Sequence, residues 1–310
     1  MRLRVLLGLL LGVLSVDVSA QQYPQYSQYM FNMLAVNPAY AGSRDVLSAT
    51  GLFRKQWLTL PGAPTSEVLS IDCPFRKEKI GLGMLISGDK IGVQSTTGVT
   101  FSYAYRIRSE KGTLALGLSG GFMQYKADLT SVALSSYPSG TNDPAFQSNI
   151  NKTLPNFGAG VYYNTDKFYV GFSAPRIINN VIATYKIGNG QSFGREYRHY
   201  FLMAGYVFKL SNNLKYKPSF LLKVVEGSPV QLDINHNLWL HDKFAIGFSY
   251  RTADAVVAML ELQMTDQFRL GYAFDYSTTK LSKYNSGTHE IMMRYEFGFG
   301  GKVITSPRYF

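Results

Sequence analysis

The sequence predicts an all-β protein, a transmembrane antiparallel outer-membrane β-barrel of about fourteen strands, on three observations. Apolar and polar residues alternate with period two along nearly the whole chain. The segments between them sort into short and long connections. Aromatic residues and glycine are abundant, with 22 Tyr, 20 Phe and 29 Gly, as expected where aromatics face lipid and glycine allows curvature and close packing inside a barrel.

Residues 1–20 read as a cleaved secretory signal. Arg2 and Arg4 open it, residues 5–16 are apolar, and Val18-Ser19-Ala20 is a small-residue cleavage site, so the mature chain is expected to begin at Gln21. The apolar stretch of about a dozen residues is short of the roughly 20 that a spanning helix needs. The remainder divides into a periplasmic or plug segment at 21–47, a barrel at 48–299 and a tail at 300–310.

Alternating segments lie near 48–57, 65–73, 80–87, 95–107, 113–125, 156–163, 167–174, 197–208, 214–224, 230–240, 243–250, 255–264, 267–276 and 289–299. In the fourth, Val99, Phe101, Tyr103, Tyr105 and Ile107 share one face, and Thr100, Ser102, Ala104 and Arg106 the other. The last two repeat the pattern, with Phe268, Leu270, Tyr272, Phe274 and Tyr276 set against Arg269 and Asp275, and Ile291, Met293, Tyr295 and Phe297 against Glu290, Arg294 and Glu296. Charges on one face exclude a sheet buried on both sides, and a mean hydropathy of -0.05 is what such averaging produces.

The even-numbered connections, near 74–79, 108–112, 164–166, 209–213, 241–242 and 265–266, are short, whereas the long ones at 126–155, 175–196 and 277–288 fall on the odd side. That alternation is expected of short periplasmic turns and longer outer loops. Cys73 is the only cysteine, so no intramolecular disulfide framework exists. The net charge of +11 falls to about +10 once Arg2, Arg4 and Asp17 leave with the signal. For an exported barrel, outer-membrane lipid and lipopolysaccharide are the anionic neighbours, and nucleic acid is not an expected partner.

Motifs for chemistry have simpler readings. Gly117-Leu118-Ser119-Gly120-Gly121 matches a nucleophile elbow in spelling, but strand pattern continues on both sides, where the elbow needs a strand-to-helix turn. His199, His236, His241 and His289 lack metal-ligand spacing. Gly188, Gly190 and Gly194 sit in an expected outer loop without the strand-to-helix context of a phosphate loop, and read as a flexible glycine loop. No catalytic residue, metal site or cofactor is expected.

Three patches exceed what barrel construction requires. The first is Gln25-Tyr26-Ser27-Gln28-Tyr29-Met30-Phe31-Asn32 with Asn37-Pro38-Ala39-Tyr40-Ala41-Gly42-Ser43, whose turns and aromatics suggest an ordered plug or a docking segment. The second is Phe53-Arg54-Lys55-Gln56-Trp57 with Gly62-Ala63-Pro64-Thr65. The third is Ser306-Pro307-Arg308-Tyr309-Phe310. Together they resemble the PorP/SprF family of type IX secretion system membrane proteins of Bacteroidota, with Met33-Leu34 departing from the family's usual Pro-Leu.

The resemblance implies a non-enzymatic outer-membrane barrel that assists export or surface attachment of particular cargo proteins, such as gliding adhesins, together with type IX components of the periplasm and outer membrane. The partner-binding candidates are then Asn37, Pro38, Ala39, Tyr40, Gly42, Arg54, Gln56, Trp57, Ser306, Pro307, Arg308, Tyr309 and Phe310. The competing expectation is a passive porin or small-molecule transporter, whose selectivity would rest on lumen charges such as Arg106, Arg269, Asp275, Arg294 and Glu296.

Overall fold

The computed structural model describes residues 25–75, 79–132, 146, 148–187 and 190–298. The expected signal at 1–20 and the terminal candidates Ser306 to Phe310 lie outside the described residues.

The strands are β1 (Leu47–Lys55), β2 (Thr65–Phe75), β3 (Ile80–Ile91), β4 (Gln94–Ser109), β5 (Gly112–Ala127), β6 (Ile150–Asn164), β7 (Phe168–Arg176), β8 (Val181–Ile187), β9 (Gly190–Arg195), β10 (His199–Tyr206), β11 (Phe208–Lys209), β12 (Leu214–Val225), β13 (Gln231–Leu240), β14 (Phe244–Arg251), β15 (Ala255–Gln263), β16 (Phe268–Ser277) and β17 (Thr288–Phe297). β11 continues β10 past Val207 along the same neighbour, β12, so the two form one stave. β8 and β9 form a separate hairpin. The remaining staves number fourteen, all antiparallel, and the ring closes where β1 pairs with β17 and β10 with β12.

Closure follows from the alternation. Phe101, Tyr103, Tyr105 and Ile107 point outward while Ser102, Ala104 and Arg106 are buried, and the same division holds along β16 and β17. The outer wall is therefore apolar and aromatic, with Leu118 at 64% exposure, and it faces the hydrocarbon of the outer membrane. With every backbone edge paired around the ring, no unsatisfied ladder meets lipid.

The loops differ from expectation in three places. β3 and β4 run on beyond the expected ends and meet at Gly92-Val93, so this odd connection is tight. β6 begins at Ile150, which shortens the expected loop at 126–155. The expected loop at 175–196 contains the β8–β9 hairpin, so Gly190 and Gly194 belong to a strand and not to a flexible loop. The β-branched and aromatic run Val181-Ile182-Ala183-Thr184-Tyr185 accounts for that hairpin, since such residues favour extended pairing.

The outer face supplies a direct check. Leu118→Arg places a charge on the lipid side of mid-strand β5 and is expected to reduce folding stability in lipid vesicles by about 2–4 kcal/mol, read from urea titrations, whereas Ser119→Ala on the lumen side stays close to the native value.

Candidate functional site

The lumen is the candidate site, and residues 25–46 fill it. Three short 3-10 turns, Tyr29–Phe31, Met33–Ala35 and Pro38–Tyr40, fold this segment into a compact plug. Nearly every side chain from Tyr26 to Gly42 is buried, with Met33, Asn37, Ala39 and Ala41 at 0% exposure. The plug descends from the long-loop rim, where Ser27 meets the ends of β1, β14 and β16, to the short-turn rim, where Arg44 leads into β1.

Two walls of different chemistry hold it. On one side, glycines of β3, β5, β6 and β7 let the plug backbone approach the sheet more closely than any side chain would allow. A Cβ on Gly117 would lie 2.1 Å from the Ala39 nitrogen, one on Gly81 1.8 Å from the Ala41 carbonyl oxygen, and one on Gly160 2.2 Å from Asn37 Oδ1. Asn37 earns its place twice: its Oδ1 accepts from the Ala39 N–H at 2.9 Å and caps the Pro38–Tyr40 turn, while its Nδ2 donates to the Val161 carbonyl at 3.1 Å. Ser173 Oγ donates to the Val36 carbonyl at 2.6 Å. Tyr40 meets the edge of Tyr162 at 5.4 Å between ring centres. Gly42 has φ of +72° and sits against Gly81, so glycine is required there on both counts.

The opposite wall, from β12 through β17 to β1, is densely charged. Near the long-loop rim Arg54 pairs with Asp275 at 2.9 Å and Glu290 at 3.0 Å, Arg251 with Asp275 and Asp233 at 3.3 Å each, and Lys223 with Asp233 at 2.9 Å. Ser27 completes this cluster. Its hydroxyl donates to Asp275 and accepts from Arg54 and Arg251 at 3.0 Å each, which uses the full bonding capacity of the oxygen. The backbone N–H groups of Ser27 and Gln28 donate to the two oxygens of Glu290 at 2.9 and 2.7 Å.

At the other rim Arg44 pairs with Glu296 at 2.5 Å, the Gly42 N–H donates to Asp72 at 2.9 Å, and Arg106 reaches Asp45 at 2.8 Å. Burial opposes the charged form of Arg44, yet Glu296 and Tyr40 beside it outweigh that and raise its pKa above the ordinary arginine value. Near the short-turn ends of β13, β15 and β16 Arg269 pairs with Glu261 at 2.8 Å and lies over the Trp239 ring at 4.9 Å, and mid-strand in β13 Asn235 Nδ2 donates to the Tyr29 hydroxyl at 2.8 Å.

Of the partner-binding candidates, Asn37, Pro38, Ala39, Tyr40, Gly42 and Arg54 come together within the lumen, touching the barrel's own walls. Gln56 and Trp57 lie apart, half-buried at the long-loop rim. There the β1–β2 loop is bonded to the β16–β17 loop through Leu58 N–H to the Gly287 carbonyl at 2.8 Å and Ser286 N–H to the Leu58 carbonyl at 2.9 Å. Trp57 and Thr59 hold positive φ of 44° and 79°, a conformation that is strained for a β-branched residue such as threonine. Ser119 lies mid-strand in β5, opposite Ser102 and Gly158, so no elbow forms around it. His236 and His289 contact Tyr216 and Tyr272 on the outer face.

The sequence places Ser27 and Gln28 in a plug or docking segment without naming their partners, and it does not single out the wall residues Asp233, Arg251 and Glu261. A polar residue alternating with apolar ones on each strand marks the lumen face, but nothing local pairs Ser27 with Asp275 across the chain.

Among known proteins, residues 18–295 match the model of a family described as type IX secretion system membrane protein PorP/SprF. No curated protein matches the chain. Among solved structures, the outer membrane protein Omp33 of Acinetobacter baumannii is 8% identical, with 81% of this chain and 98% of that chain covered and a TM-score of 0.46. The CymD monoaromatic hydrocarbon channel is 12% identical, covers 90% and 95%, and has a TM-score of 0.48. The KdgM porin is 10% identical, covers 81% and 99%, and has a TM-score of 0.38.

Two substitutions probe the two walls. Gly117→Val drives a side chain into the Ala39 backbone and is expected to unseat the plug, so that trypsin cleaves the folded barrel after Arg44, a bond that the native protein protects. Glu290→Ala leaves Arg54 with one buried partner fewer and removes both acceptors for the Ser27 and Gln28 N–H groups. A loss of about 3–5 kcal/mol is expected, measured by denaturant unfolding in detergent.

Proposed function

The chain belongs to the PorP/SprF family of type IX secretion system membrane proteins, and on that premise we propose that it is a non-enzymatic assembly component, assisting the export or surface attachment of particular cargo proteins such as gliding adhesins. The observation that carries this reading is the filled lumen. A diffusion pore needs a continuous wet path, and here buried side chains of residues 26–42 occupy the axis from rim to rim and are bonded to both walls. A barrel so filled offers its rims to protein partners and no bore for diffusing solutes.

On this reading residues 1–20 are a signal that is removed in a bacterium of the Bacteroidota, and the aromatic outer wall meets outer-membrane lipid and lipopolysaccharide. The long-loop rim, with Gln56 and Trp57 held by the interlocked β1–β2 and β16–β17 loops, meets cargo. The rigidity of those loops favours this role, because a preorganised loop loses little entropy on binding. The short-turn rim and the terminal residues Ser306, Pro307, Arg308, Tyr309 and Phe310 meet periplasmic secretion components. Asn37, Pro38, Ala39, Tyr40 and Gly42 serve partners indirectly, by fixing the plug that shapes the rims, and Arg54 lies where the plug meets the long-loop rim.

Deleting the gene is expected to leave one or a few type IX cargo proteins inside the cell while others still reach the surface, read by proteomics of surface-shaved cells. Purified protein in planar bilayers is expected to give no large, steady open-channel current. Sustained current together with normal cargo export after deletion would support the passive porin instead.

A further inference from the structure

We infer that the cluster of Arg54, Arg251, Asp275 and Glu290 at the long-loop end of the lumen is a recognition site for a peptide turn, which Ser27 and Gln28 occupy as an exchangeable internal ligand. The inference rests on the proposed role in cargo handling and supplies the chemistry of the segment bound.

Three features of the cluster carry it. First, what it grips is generic to peptides: two consecutive backbone N–H groups on the Glu290 carboxylate and one hydroxyl held among Asp275, Arg54 and Arg251. Both residues lie in a turn, with Gln28 at φ -96° and ψ 31°, which aims the two successive N–H groups at one carboxylate, and any such turn with a serine or threonine at the first position presents the same groups. Gln28 adds a weaker contact, Nε2 to the Glu290 carbonyl and carboxylate at 3.4 and 3.3 Å, against Gly271, where a Cβ would meet Gln28 Oε1 at 2.3 Å.

Second, the cluster stays charge-matched when the peptide leaves. Arg54 keeps Asp275 and Glu290, and Arg251 keeps Asp233, Asp254 and Asp275. Once residues 25–28 withdraw, the cluster opens to the long-loop rim, and water can take the places of the Ser27 hydroxyl and the two N–H groups.

Third, the plug has two separate anchorages. Residues 37–42 are seated on the glycine wall and on Asp72, so residues 25–28 can leave the cluster without unseating the remainder. Tyr26, next to Ser27, lines a cavity of about 60 Å³ against the glycine-bearing wall, together with Ser87, Thr100, Ser119 and Arg176. The partner is therefore a Ser- or Thr-bearing turn of a second polypeptide, entering from the long-loop rim and displacing the internal copy.

The test uses full-length protein in detergent and a labelled, end-capped octapeptide copying residues 25–32, with binding followed by fluorescence anisotropy. Ser27→Val weakens the internal ligand and leaves the barrel residues untouched, and its folding is checked by heat-modifiable migration on gels. The peptide is expected to bind this variant at least about tenfold more tightly than the native protein, because apparent affinity scales with the fraction of sites vacated. Valine in place of the peptide's serine, or Glu290→Gln added to the Ser27→Val barrel, is expected to abolish that binding. Equal binding of the serine and valine peptides, or no binding to a correctly folded Ser27→Val barrel, overturns the inference. Retention of cargo in the deletion strain does not depend on either result, so the two readings fail separately.

Discussion

The Ser27 hydroxyl, shared among Asp275, Arg54 and Arg251, ties the plug to β1 and to β14 and β16, whose contacting residues lie more than 200 positions further along the chain. Much of the remaining architecture follows from the need to satisfy what surrounds it. Buried arginines and carboxylates are tolerable only when each has partners of opposite charge and filled hydrogen-bonding positions. In a barrel of fourteen strands the wall charges pair largely with one another, and the width of the lumen leaves hydrogen-bonding positions that wall side chains alone do not fill. The N-terminal segment supplies the missing groups, and the lumen charges in turn give that segment a reason to lie inside.

The two walls solve different problems. Gly81, Gly117 and Gly160 remove side chains so that the backbone at Asn37 to Ala41 packs by shape, and that contact is intolerant of any added atom. The charged wall holds Ser27, Gln28 and Tyr29 by hydrogen bonds that water can imitate. One half of the plug is thus seated by steric fit and the other by exchangeable polar contacts. This asymmetry gives a secretion-system barrel a fixed core together with an adaptable mouth.

Much of this was legible in the sequence and some was not, for identifiable reasons. Alternation along Val99 to Ile107 and along β16 and β17 reports a local property, which side of a strand meets lipid, so the fourteen staves and their inward charges could be read directly. The β8–β9 hairpin was hidden because its alternation is brief and glycine interrupts it. Within Arg54-Lys55-Gln56-Trp57 the pattern ran straight on, but the strand ends at Lys55, so Arg54 turns into the lumen while Trp57 enters a strained rim turn. The glycines of Gly117-Leu118-Ser119-Gly120-Gly121 could be recognised as wall residues, yet the role of Gly117 as the seat of Ala39 depends on a contact between distant segments that no local pattern encodes.

The central claim is that residues 25–46 occupy the barrel of the protein in the cell. An engineered pair, Val36→Cys with Ser173→Cys in a Cys73→Ser background, joins positions whose native groups are in hydrogen-bond contact between plug and wall. Oxidation of whole cells is predicted to form an intramolecular disulfide in nearly all of the protein, seen as a mobility shift that reductant reverses. Two free thiols that both react with a membrane-impermeant maleimide added outside the cell would show the plug to be absent from the lumen and contradict the account.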